Sequence, residues 1–201
     1  MEFYTTIDQP AQAEFKDRGS KFIAFAYPAA SADEFKKQLQ LLKKDHPKAV
    51  HYCFAYRFGL DGNQFRVSDD GEPAGTAGKP ILGQIDSKGL TDIVVVIVRY
   101  FGGTLLGVPG LIVAYKTATL DALSRADIIT KHIEAVYDIT TDYQQFHEVM
   151  NYLKREAVTV LGQQMNDRCM IQVSIHPDSG EKLTLDMETK FGIIVNFKYH
   201  A

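Results

Sequence analysis

The run Ile93-Val94-Val95-Val96-Ile97-Val98 is β-branched at every position with no polar break, and it limits the folds open to this chain more than any other feature. β-Branched side chains are stiff at χ1 and suit a pleated strand. A strand without apolar/polar alternation has no face to offer to water, so the run predicts a central strand covered on both sides by other elements. It is far shorter than the roughly 20 apolar residues a membrane-spanning helix needs. With 201 residues there is room for one large domain or two small ones around such a strand.

Upstream, residues 14–18 and 21–27 read as two strands joined at Gly19-Ser20. Residues 31–45 have helical spacing, with Phe35, Leu39 and Leu42 on one face and Lys36, Lys37, Lys43 and Lys44 on the other. Those lysines read as a solvated helix face rather than an RNA contact. Ser31 followed three residues later by Glu34 predicts a capping box, and Pro47 stops the helix. Residues 50–58 and 64–68 read as strands around a turn at 59–63, and residues 76–85 as a helix. A further helix is expected from Pro109 to Ala126, with proline at the first helical position, where the missing N–H has no partner to lose.

Glycine usage drops near residue 130, which suggests a boundary there and domains at 1–127 and 131–201. In the tail, strands are expected at 132–140, 157–164, 168–175 and 193–199, and helices at 142–156 and 178–190. That order is βαββαβ, the ferredoxin-like arrangement, which buries one sheet face under two helices. The fold class is therefore α+β.

Charge is balanced. Residues 1–130 carry 15 Lys+Arg and 15 Asp+Glu, and residues 131–201 carry 7 and 10. Neither part has the basic excess of a non-specific nucleic-acid binder, so RNA contact would have to come from a local patch. No secretory leader or membrane span is visible, and Cys53 and Cys169 show no metal-type spacing. Both read as reduced, unbridged thiols of a cytoplasmic protein.

The chemistry-bearing stretch lies between His51 and Tyr115. It contains Ser68-Asp69-Asp70-Gly71-Glu72-Pro73-Ala74-Gly75-Thr76-Ala77-Gly78-Lys79-Pro80, then Val98-Arg99-Tyr100-Phe101-Gly102-Gly103, Leu106-Gly107 and Gly110-Leu111. Two glycine-rich turns thus lead into helices, and helix starts supply N–H donors and partial positive charge suited to anions. Gly78-Lys79-Pro80 does not make a P-loop, because Pro80 stands where Ser or Thr would bind Mg²⁺ and Pro73 where the first glycine belongs. Asp69, Asp70 and Glu72 read as turn and capping carboxylates in preference to a metal site. His51 reads as a hydrogen-bonded structural histidine in preference to a general base. No residue is assigned a catalytic role, and no cofactor or metal is called.

These motifs identify the chain as a member of the IMPACT/YigZ family. The resemblance runs through the Ser68–Gly78 block, Arg99-Tyr100-Phe101-Gly102-Gly103, Leu106-Gly107, Gly110-Leu111 and Ala114-Tyr115, with Arg18–Ile23 and His51–Arg57 in support. It implies an N-terminal α+β domain similar to domain IV of elongation factor G, and a C-terminal domain similar to that factor's domain V. Eukaryotic members act in translational control; the resemblance names no reaction. The family pattern usually has basic residues where this chain has Leu105 and Val113, and a glycine where it has Pro109, so two positive charges near the second turn are absent.

Three functions stand beside one another: a cytoplasmic regulatory protein that binds RNA or the ribosome, a partner of a protein of the translation machinery, and an enzyme or sensor for a small phosphorylated metabolite. The expected anion-binding set is Arg57, Gly75, Thr76, Gly78, Lys79, Arg99, Tyr100, Gly102, Gly103, Gly107 and Gly110, rimmed by Asp69, Asp70 and Glu72. The two turns are expected side by side on one face, with Arg57, Lys79 and Arg99 making a local positive concavity.

Overall fold

The computed structural model describes residues 3–200. In chain order it forms β1 (Phe3–Ile7), β2 (Ala11–Asp17), β3 (Ser20–Pro28), α1 (Ala32–Asp45), β4 (His51–Phe58), β5 (Gln64–Ser68), α2 (Gly78–Ser87), β6 (Ile93–Tyr100) and α3 (Gly107–Ser124). There follow β7 (Ile128–His132), β8 (Ala135–Thr141), α4 (Tyr143–Arg155), β9 (Thr159–Met165), β10 (Cys169–Ile175), a 3₁₀ turn (Pro177–Ser179), α5 (Gly180–Phe191) and β11 (Val195–His200). The class is mixed α+β. Among the described residues, no helix is long and apolar enough to cross a membrane.

Two compact units divide the chain, one running from Tyr4 to Lys131 and the other made of Phe3 and the residues from His132 onward. In the first, an antiparallel sheet has the order β2-β3-β6-β4-β5, so β6 sits at its centre. Residues Ile93 through Val98 are wholly buried, for the reason their composition implies. Ile93, Val95 and Ile97 join the core under α2 and α3. Val94, Val96 and Val98 join a second core with Phe35 and Leu42 of α1. One strand thus supplies both layers.

Local signals explain most element ends. Ser31 Oγ accepts from the Glu34 N–H at 3.3 Å, but the Glu34 carboxylate reaches back to the Ala30 N–H at 2.9 Å, not to that of Ser31. α3 begins at Gly107, so Pro109 is its third residue; it still lies in the first turn, where a missing N–H leaves no bond unmade. α2 starts at Gly78 rather than at Thr76, because Thr76 is tied into the preceding turn through its hydroxyl and the Pro73 carbonyl, 2.7 Å apart. The strand expected over 132–140 is β8, which begins three residues later at Ala135, and residues 128–132, ahead of it, form β7. β7 pairs with β1 in a small sheet, and β8 opens the sheet of the second unit.

In that second unit β8, α4, β9, β10, α5 and β11 follow one another, and the sheet order is β11-β8-β10-β9. Every pairing in it is antiparallel. Ile139, Ile171, Val173 and Val195 of the sheet pack with Val149 and Leu153 of α4 and Leu183 and Met187 of α5. The opposite sheet face is polar at its centre: Asp138 accepts from Gln172 Nε2 at 3.1 Å and pairs with Lys198 at 2.9 Å.

Candidate functional site

All three helices of the first unit have one end at the edge of the sheet where β6 finishes. In the pairing register, Arg99 lies opposite Phe22 of β3 and His51 of β4. β3 and β4 therefore begin at this end, and the β2–β3 turn, the close of α1 and the loops before α2 and α3 gather there. Antiparallel pairing forces this, because each helix must carry the chain back along the sheet.

The turns meet by direct backbone contact. A Cβ on Gly102 would fall 1.9 Å from the carbonyl carbon of Gly19, so only glycine fits. The Gly102 N–H donates to Ser20 Oγ at 3.2 Å, which ties the β6–α3 loop to the start of β3.

The β5–α2 turn folds around its own carboxylates. Asp69 accepts from the N–H groups of Gly75 (2.8 Å), Ala77 (3.0 Å) and Gly78 (2.8 Å), which fills the start of α2. Burial works to raise the Asp69 carboxyl, but the three backbone donors and the nearby Lys79 outweigh it and hold the group below the ordinary range. Asp70, in the left-handed region at φ 42°, accepts from the Tyr52 N–H at 2.7 Å through its side chain. Its carbonyl lies 2.7 Å from His51 Nδ1.

Glu72 turns inward. Its Oε1 accepts from Arg99 Nη1 at 2.5 Å and from the Tyr115 hydroxyl at 2.7 Å, all three residues being buried. His51 Nε2 is 3.9 Å from the same oxygen. The Cys53 thiol lies 3.0 Å from the Asp69 carbonyl and 3.2 Å from Tyr115 Oη. Burial pushes both the Cys53 thiol and the Tyr115 phenol far up, so neither ionises near neutrality. Arg99 also stacks its guanidinium near the rings of Phe22 (5.3 Å) and Phe101 (5.8 Å), and its Nε is buried without a hydrogen-bond partner.

The two glycine-rich turns are therefore linked through Glu72, Arg99 and Tyr115. The surface they make differs from a positive concavity in four respects. The donors of Gly75 and Gly78 serve Asp69. The charge of Arg99 is matched by Glu72. Tyr100, one residue on, points to the other sheet face, where its hydroxyl meets His46 Nδ1 at 2.9 Å and Lys21 sits over its ring. Arg57 is at the far end of β4, opposite Ile93; it pairs there with Asp86 at 2.7 Å and donates to the Gly62 carbonyl. Strand alternation and strand direction separate residues that lie close in the motif.

What remains open to solvent is the second turn. Gly102, Gly103, Thr104, Leu105 and Gly107 are exposed, Gly103 and Gly107 have positive φ, and α3 starts without a side-chain cap. Gly110 packs in its first turn, its Cβ position 3.0 Å from that of Leu106. Lys79 is exposed on α2. The sequence motifs passed over Tyr115 and Cys53 as functional groups. Both nevertheless stand within motifs that carry the family resemblance, Ala114-Tyr115 and His51–Arg57.

Fold and site together define a two-unit α+β protein with a buried acid–guanidinium–phenol junction beneath a glycine-rich loop. The model of the Impact N-terminal domain matches residues 18–123. The IMPACT family member YvyE of Bacillus subtilis is 32% identical over 154 residues, 77% of this chain and 71% of that protein. The IMPACT family member YigZ of Escherichia coli is 35% identical over 147 residues, 72% of each. A crystal structure described as that of a hypothetical protein superposes with a TM-score of 0.82 at 27% identity, covering 99% of this chain and 98% of the other. The chain belongs to the IMPACT family.

Proposed function

We propose that this chain is a cytoplasmic regulatory protein of the translation apparatus that grips an RNA phosphate backbone where α3 begins. One observation carries the reading. α3 starts uncapped in an exposed glycine loop, whereas the donors at the start of α2 are filled by Asp69. A long helix presents about half a positive charge and several N–H groups at such a start, which suits phosphate. Arg18 and Lys21 of the β2–β3 hairpin and Lys48, just after α1, stand at the same end of the sheet. The exposed ring of Phe101 supplies a surface on which a base can stack.

On this reading the first unit is an analogue of elongation factor G domain IV and the second a ferredoxin-like domain. The strand order β11-β8-β10-β9 supports the latter. Cytoplasmic residence fits two buried, free thiols.

The test is fluorescence anisotropy with labelled single-stranded and hairpin RNA over a salt series. Affinity should fall steeply with salt, and Lys21→Glu combined with Lys48→Glu should weaken it and flatten the slope. Absence of binding at low salt would defeat the reading. Tight, salt-insensitive competition by a small phosphorylated compound would point to a metabolite site instead.

A further inference from the structure

Helix α3 is apolar on both sides. Its inner side, with Leu111, Ala114, Tyr115, Ala118, Ala122 and Leu123, is buried against the sheet and α2. Its outer side should be polar if it met only water. Instead Val108 is 50% exposed and Val113 59%, with Ile112 and Leu120 also open, and Leu105 just ahead of the helix is 81% exposed. At 100° per residue Val108, Ile112, Val113 and Leu120 fall within one arc of about 140°, which also holds the buried Thr119 and Leu123 and, as its one charged residue, Lys116.

We propose that this face is a self-association surface, on which two copies of the chain pair through antiparallel α3 helices about a two-fold axis. Three features favour a second copy over another occupant. The face is a convex helix rather than a groove, and a convex helix is best covered by another one packed ridge into groove. It has no acidic or basic cluster that would select a partner of opposite charge. Its open apolar side chains offer on the order of 500 Å² per copy, toward the upper end of the roughly 300–600 Å² that the largest, often functional, patch of a monomer reaches, and near the lower limit for a specific weak dimer.

A two-fold axis passing between Ile112 and Val113 sets Ile112 of one copy on Val113 of the other, and Leu105 on Leu120. Lys116 then lies beside Pro109 of the second copy, and its aliphatic stem covers apolar surface while the ammonium reaches the rim. An interface at this low end of the size range is expected to be weak, so association should depend on concentration.

Sedimentation equilibrium on the full chain over roughly 1–200 µM tests this directly. The mass should rise toward twice that of one copy, while Leu105→Lys with Val113→Lys should stay at one copy and keep the parent's melting temperature. A parent that stays at single-copy mass throughout, or a double variant that associates equally well, overturns the proposal. Val113→Cys supplies a second reading, because Cys53 and Cys169 are buried. Mild oxidation should yield a covalent dimer at Val113→Cys and none at Ile128→Cys, an exposed site on β7; equal yields overturn the proposal too.

Discussion

Glu72 and Arg99 form an ion pair at 2.5 Å with side chains 3% and 6% exposed, and the Tyr115 hydroxyl donates to the same carboxylate oxygen at 2.7 Å. The pair joins the loop before α2 to the last turn of the central strand, and Tyr115 adds α3. Three elements are thus fastened by one buried carboxylate.

Removing that carboxylate leaves a guanidinium buried without a counter-charge. Glu72→Ala should lower unfolding stability by about 3–5 kcal/mol, as breaking buried pairs from one side does, with Glu72→Gln less severe. Urea denaturation gives the number. Arg99→Ala should be destabilising for the same reason. The Glu72→Ala, Arg99→Ala double variant should lose less than the two single losses together. Strict additivity would mean that the pair contributes nothing.

Asp69 provides the pH signature. Its folded carboxyl is depressed, so its contribution is complete above the unfolded value of about 3.9 and is lost as pH falls through the lower folded value. Asp69→Asn should cost roughly 1–2 kcal/mol at pH 7, comparable to loss of a helix cap. The gap in melting temperature between the two proteins should close as pH is lowered from 5 toward and below about 4. A gap that stays constant to pH 2 would show that the carboxylate charge is not what the three N–H groups respond to.

The neighbouring glycines should respond differently to alanine. At Gly102 the new Cβ would collide with the Gly19 backbone at 1.9 Å, so the hairpin and the loop must part. At Gly103 the space is open and only the positive φ of 85° is unfavourable. Gly103→Ala should cost about 1 kcal/mol and Gly102→Ala considerably more. Thermal melts of both check this; equal losses would contradict the contact.

Thiol chemistry should report burial. Cys53 and Cys169 are free and buried, and burial raises the Cys53 pKa well above its ordinary value. Native protein should react slowly with a maleimide, and denatured protein without reductant should take up two. Mass spectrometry would expose a bridge as two missing adducts.

Sequence by itself determined what depends on neighbours in the chain. The 93–98 run specified the central strand, alternation and helical spacing specified most other elements, and Ser31 and Asp142 read as helix starts, because propensity, period and capping act over a few residues. The tail's element order and the family motifs were equally legible. Where each motif residue points was decided only in three dimensions. Glu72 meets Arg99 across 27 positions and Tyr115 across 43, and Arg57 leaves the motif because β4 carries it to the opposite end of the sheet. The extra strand at residues 128–132, ahead of the one expected, likewise depended on β1, a distant partner for β7. Those choices follow from long-range pairing and burial, in which a donor is satisfied by whichever acceptor the packed chain brings within reach, and no local pattern encodes that distance.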